Sequence, residues 1–222
     1  MLSNDDRIRI AEAVTQAELG TTGEITCVLA EDVSNYREVP LAFAALLSLC
    51  LPPLLVLAGL HESILHGGWS GGDTEDGLVL RALALYAMAQ AAIFVAAALL
   101  ANWPPLRRLL TPGLLKRHRV GQVARHHYAA LATHLPKDAP HILIFACFAD
   151  RRVELVANPA IHAAVGQGLW DAAVAAVTDE IRAGRPAEGF IRAIHLCGAA
   201  MAQHFPANGP DENRLSNDIT VR

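Results

Sequence analysis

HILIFACFADRRVELVA, residues 141 to 157, reads as two strands of different character joined by a tight turn. His141 to Ala149 is almost continuously apolar, the pattern of a strand buried on both faces of a sheet. Arg152 to Ala157 alternates, as a hairpin partner does, and Asp150 with Arg151 supplies the turn. Downstream, Asn158 and Pro159 place a cap and a first-turn proline on a long helix predicted to run through Ile181 and to close at Gly184 and Pro186. A last helix follows from about Ala187 to Phe205, and the polar tail is expected to be loosely ordered.

Upstream lies a basic amphipathic helix, about Val120 to His134, with Val123, Ala124, Tyr128 and Leu131 on one face. At the other end of the chain, Ser3 and Asp6 form a capping-box start. Ile8, Ala11, Val14 and Ala17 then line a helix that ends by Gly20, and Glu24 to Ala30 reads as a further strand. Neither half holds enough strands for a core. They are expected to fold together into one small α/β domain with a mixed sheet of about three strands or more and four helices, built from residues 1–38 and 106–206, with 207–222 as a flexible tail.

Residues 39–105 interrupt that domain. The chain has 222 residues, 53% of them hydrophobic and 18% charged, with a net charge of −4, and its mean hydropathy is +0.29. This balance excludes a disordered chain and argues against a nucleic-acid partner. The excess apolar character sits in Leu41 to Leu60 and Ala82 to Trp103, which contain no Asp, Glu, Lys or Arg. About 20 apolar residues span a hydrocarbon core of roughly 30 Å, so both runs read as transmembrane helices of a hairpin with a loop at 61–81. A pair of buried core helices is the alternative, but two such runs are too much for one small core. Pro52 and Pro53 predict a kink in the first span.

Arg107, Arg108, Lys116, Arg117, Arg119 and Arg125 follow the second span, whereas the loop offers Arg81 beside Glu62, Asp73, Glu75 and Asp76. Positive charge stays inside, which predicts a multi-pass inner-membrane protein with both termini cytoplasmic. No apolar run of signal length lies near Met1, so the N-terminal segment is expected to stay where it is made. Cys27, Cys50, Cys147 and Cys197 show no CxxC spacing and read as reduced, packed thiols, with Cys27 and Cys147 as candidate sheet neighbours. The bilayer is the expected partner. An alanine-rich second span adds a homo-oligomer or another membrane protein as candidates.

TTGEITCVLAED at 21–32, HILIFACFADRRVELVANPAIH at 141–162, the Trp170…Val174 spacing and IRAGRPAEGFIRAI at 181–194 together resemble the TPM domain family, in particular its bacterial membrane-anchored branch with a transmembrane hairpin inserted in the domain. The resemblance covers about residues 5 to 36 and 115 to 205. It implies an α/β domain, and it implies phosphate-ester hydrolysis or calcium binding as candidate activities. The chain departs from the family just after the hairpin of strands, where Asn158, Pro159 and Ala160 stand in place of an acidic or glycine-rich stretch.

A metal-dependent phosphatase-like hydrolase needs several oxygen ligands converging on calcium or magnesium. The candidate metal ligands are Glu24, Glu31, Asp32 and Asp150. If the Glu24 strand pairs in parallel with the His141 strand, Glu31, Asp32 and Asp150 lie beyond the carboxyl ends of strands, where α/β sheets bind ligands. Ordinary turn formation accounts for the same carboxylates. HESILH at 61–66 is not HExxH, and a metal loop of His61, His66, Asp73 and Asp76 competes with a solvated loop. Arg125, His126 and His127 read as a solvated basic helix face, and Trp170 as core. No Walker, Rossmann or GxSxG pattern occurs. Neither span holds a charged residue to mark a transport path; Ser48, Gln90 and Asn102 are its polar groups. A binding or assembly module at the membrane face is therefore the leading expectation.

Overall fold

The computed structural model describes residues 2–59, 75–136, 139–207 and 214–221. In chain order its elements are α1 (Asn4–Glu18), β1 (Glu24–Ala30), α2 (Glu38–Leu57), α3 (Glu75–Ala101), α4 (Pro104–Leu110), α5 (Gly113–Ala132), β2 (His141–Cys147), β3 (Arg152–Ala157), α6 (Pro159–Ala164), α7 (Gln167–Arg182), α8 (Pro186–His204) and β4 (Thr220–Val221). They fall into two units, Met1–Ser34 with Leu114–Arg222, and Asn35–Gly113.

The first unit is a mixed α/β domain on a four-stranded sheet of order β3-β2-β1-β4. β1 pairs in parallel with β2, Glu24 opposite His141 and Ala30 opposite Cys147, while β3 runs antiparallel to β2. Every residue of β1 and of β2 is buried. Alternation divides them between two cores. Ile25, Cys27 and Leu29 with Ile142, Ile144 and Ala146 meet α1, α7 and α8, whereas Val28 and Ala30 with Leu143, Phe145 and Cys147 meet Val120 and Ala124 of α5. Helices on both faces explain why the two central strands tolerate no polar side in their middle. Cys27 and Cys147 thus face opposite sides of the sheet rather than each other: Cys27 is opposite Ile144 in register.

The Ser3 capping box forms as expected, with the Asp6 N–H donating to Ser3 Oγ at 3.1 Å and the Ser3 N–H to Asp6 Oδ2 at 3.0 Å. The Ser3 N–H, and then the Ser3 hydroxyl at 2.8 Å from the same Oδ2, hold the Asp6 carboxyl below its ordinary pKa. Three boundaries differ from expectation. The helix predicted from Pro159 to Ile181 is two helices: the Asn158 cap is present, at 3.0 Å from the Ile161 N–H, but Val165 turns extended at φ −104°, ψ 130°. Val165 is buried in the core there, and Gly166 and Gly168 are weak helix formers, so the chain breaks and restarts at Gln167. The basic helix begins at Gly113 rather than near Val120, because Leu114 to Val120 contains no Gly or Pro to delay its start.

The third difference is the tail. Ile219 is buried at 4% exposure, Thr220 and Val221 pair in parallel with Val28 and Leu29, and the Arg214 N–H donates to Glu24 Oε1 at 3.0 Å. A two-residue strand gives too short a pattern to be read locally, and tertiary pairing with β1 orders it. The domain therefore has five helices among the described residues, one more than the four expected, and its four strands fall within the three or more expected.

The second unit consists of α2, α3 and α4. Both long helices are apolar and long enough to cross a membrane by length and composition, with mean hydropathies of 2.2 and 2.1. α2 starts at Glu38 and runs unbroken through Pro52 and Pro53, and α3 reaches back to Glu75, into the stretch expected to be loop. Pro104 and Pro105 follow the second run and open the short helix α4.

Candidate functional site

The parallel ladder continues past β1 and β2. Phe148 N–H donates to the Ala30 carbonyl at 2.9 Å and Ala149 N–H to that of Glu31 at 3.0 Å, so Glu31, Asp32 and Asp150 emerge at one end of the sheet. Asp32 Oδ1 accepts from the Ser34 N–H at 3.2 Å, an Asx turn. Asp150 Oδ2 lies 3.9 Å from the Cys147 thiol as its acceptor. Burial first, and then the charges of Asp150 and Asp32, push that thiol up to about 11. Both aspartates therefore act on one buried sulfur, which locks it as a thiol.

Glu24 does not join them. It opens β1 at the opposite end, and seven strand residues at about 3.3 Å each separate the two ends by roughly 20 Å. Among the described residues no group of three or more His, Cys, Asp or Glu is placed to hold a metal ion. The four carboxylates expected to share one ion are divided into a set of three and a lone buried glutamate. His61, His66 and Asp73, and the side chain of Asp76, lie outside the described residues.

Glu24 instead belongs to a buried polar group beneath α5. His141 is 1% exposed and shares a 3.1 Å hydrogen bond between its Nε2 and Thr26 Oγ1, while the Tyr128 ring stacks on it at 4.9 Å and 11°. Burial lowers the imidazole pKa to about 4, so the ring is neutral at pH 7. His127 packs its ring 5.7 Å from that of Phe145, whereas Arg125 and His126 are exposed, as the sequence predicts for that helix face.

The feature that local reading passes over is a cleft along β3. Arg152, Val153, Glu154 and Leu155 all line a cavity of about 300 Å³. Successive strand side chains point to opposite faces, so a cavity touching four in a row opens onto the strand's edge. β3 is one of the two terminal strands of the sheet, and among the described residues no strand pairs with its outer edge. Arg117 stands on one side of the cleft, and His162, Trp170 and Val174 on the other. A second cavity of about 340 Å³ adjoins it, shares Arg117 and Glu154, and adds His118 and Arg125. Arg117, Arg125 and Arg152 make no ion pair among the described residues. Trp170 is 6% exposed, as expected for core, yet its Nε1 has no hydrogen-bond partner among the described residues. The sequence signal for this cleft is Arg152 and Glu154 alternating with apolar residues, the mark of an edge strand.

No family model matches the chain, and no curated protein matches it. Among solved structures it is similar to the NMR structure of the BA42 protein from the psychrophilic bacterium Bizionia argentinensis, with a TM-score of 0.56 and 16% identity over 100% of this chain and 96% of that one. At that identity the likeness is one of fold.

Proposed function

We propose that the chain is a multi-pass inner-membrane protein in which α2 and α3 cross the bilayer and tether a TPM-like α/β domain at the cytoplasmic face as a binding module. One observation carries this reading: only 22% and 6% of the most apolar windows of the two helices are buried. A core helix of the same composition would be mostly covered. Leu46, Leu49, Leu83 and Leu99 are each more than 60% exposed, and apolar surface on that scale calls for hydrocarbon around it. Arg37, Arg107 and Arg108 flank the apolar runs on the side that leads into the α/β domain, as the positive-inside rule asks.

The binding face of the module is the open edge of β3. An extended partner segment added there finds unpaired backbone groups, three unpaired guanidiniums beside them, and Trp170 with Val174 opposite; acidic side chains alternating with apolar ones complement it.

Alkaline carbonate extraction of membranes carrying the full chain, with a reporter active only outside the cytoplasm fused after Arg222, tests the anchoring. Retention in the pellet with a silent reporter is expected. Release to the supernatant, or an active reporter, refutes the assignment.

A second reading is a divalent-metal-dependent hydrolase of phosphate esters, favoured by the emergence of Glu31, Asp32 and Asp150 at one sheet end. Calcium or magnesium would be its cofactor. Saturable thermal stabilisation by either ion, abolished in Asp32→Asn/Asp150→Asn, would support it, and an unchanged melting curve would remove it.

A further inference from the structure

The start of α2, the end of α3 and α4 enclose a cleft of about 640 Å³ whose wall includes Arg37, Leu41, Phe94, Leu99, Asn102 and Arg107. The first turn of α2 and the last turns of α3 therefore adjoin, as in an antiparallel hairpin. Among the described residues no carboxylate lines this cleft. Arg37 and Arg107 form no ion pair among the described residues, and Arg107 Nε is buried with no hydrogen-bond partner. A buried guanidinium N–H without an acceptor is costly, which marks the cleft as incomplete as it stands.

The missing piece must bring oxygen acceptors to two guanidiniums and apolar surface to Leu41, Phe94 and Leu99. We infer that the cleft holds one anionic phospholipid, its phosphodiester between Arg37 and Arg107 and an acyl chain along Leu41, Phe94 and Leu99. This rests on the membrane reading above. The planar fork of a guanidinium matches two phosphate oxygens at once, and two such forks share one phosphate. Asn102 offers a further amide to the glycerol backbone. Trp103, 68% exposed where α3 ends, stands where an indole ring meets the headgroup layer. The lining also selects the headgroup: with two cations and no carboxylate, an ammonium group has no counter-charge here, so the site favours a headgroup with net negative charge over a zwitterionic one. Free phosphate would leave the apolar wall uncovered.

The full chain in mild detergent, examined by native mass spectrometry with phosphatidylglycerol, phosphatidylcholine or glycerol 3-phosphate, tests this. One phosphatidylglycerol is expected to remain bound per chain, at least about tenfold more firmly than phosphatidylcholine, and glycerol 3-phosphate is expected not to bind. Arg37→Gln/Arg107→Gln should lose that preference while staying in the carbonate pellet. Arg107→Lys, which keeps the charge and loses the fork, should weaken it. Equal retention of the two lipids by the wild type, undiminished retention by the double variant, or equal binding of glycerol 3-phosphate overturns the lipid site with anchoring intact. Release by carbonate overturns both.

Discussion

Glu24 and His141 stand opposite one another in register at the start of β1 and β2, and each holds a buried polar atom, Glu24 Oε2 and His141 Nδ1, without a hydrogen-bond partner among the described residues. His141 bonds Thr26 and stacks on Tyr128 of α5, while Glu24 Oε1 accepts from the Arg214 N–H. Such a pair is a point of acid sensitivity. The imidazole titrates near 6.5 when unfolded and near 4 when folded, so between these values the unfolded state binds more protons. Stability is full above about pH 6.5 and falls as pH drops toward 4, by roughly 3 kcal/mol for this group. Thermal midpoints of the α/β domain at pH 7.5 and pH 5 measure the loss. His141→Gln should flatten the dependence; an unchanged slope in that variant assigns it elsewhere.

The two faces of α8 are fitted by glycine. A Cβ on Gly198 would lie 2.6 Å from Ala17 Cβ on α1, and one on Gly189 would lie 2.9 Å from Val177 Cα on α7. Gly198→Ala should destabilise by about 1–3 kcal/mol through overpacking, less the gain of about 1 kcal/mol in helix propensity. Adding Ala17→Gly should recover part of that loss, so that the double variant is more stable than additivity allows. Chemical denaturation of the four proteins reads this directly, and strict additivity would mean the helices simply move apart.

The cysteines divide by location. Burial raises the pKa of Cys27, pushes Cys197 to about 12 and Cys147 to about 11, and all three are buried whereas Cys50 on α2 is exposed. Maleimide labelling of the native protein should modify Cys50 alone, in membranes only with a lipid-permeant reagent, and denaturant should release the other three. Rapid labelling of Cys50 by a charged, impermeant reagent would mean that its face of α2 meets water.

Ile219 tests the ordered tail. Its side chain is 4% exposed and belongs to the core formed with α1, α7 and α8, and Asn217 Nδ2 donates to Thr15 Oγ1 at 2.8 Å close by. Ile219→Ala should cost about 2–4 kcal/mol, a loss visible as an earlier denaturation midpoint. An effect below about 0.5 kcal/mol would be that of an ordinary surface site.

For the β3 cleft, the peptide acetyl-Glu-Val-Glu-Val-Glu-amide should change the emission of Trp170 in a Trp69→Phe/Trp103→Phe background, saturably and less at higher salt. Arg152→Glu should abolish the change. A response that survives this charge reversal would place the peptide away from the edge.

Much of this was legible in the residues themselves. Ser3 with Asp6 and Asn158 with Pro159 mark helix starts, because capping and proline geometry are local effects between neighbours. The two uncharged runs and the two-sided burial of His141 to Cys147 follow from composition and period alone. The break at Val165, the pairing of Thr220 and Val221, and the parting of Glu24 from Asp150 were not legible, since each depends on a neighbour far along the chain. Glu24 shows why: it opens β1 three residues before the middle of that strand, and only the parallel pairing of β1 with β2 decides that Asp150 emerges beside Glu31 and Asp32 rather than beside Glu24.

By itself, then, the sequence determined the longer helices, the three longer strands and where the apolar excess lies, because hydrophobic period and chain-local hydrogen bonding need no partner. The tertiary structure decided which edge of the sheet stays open, which arginines are left without counter-charges, and which buried atoms go unpaired, because these are properties of juxtaposed surfaces. Arg37 and Arg107 are 70 residues apart in sequence and line one cleft only once the hairpin closes.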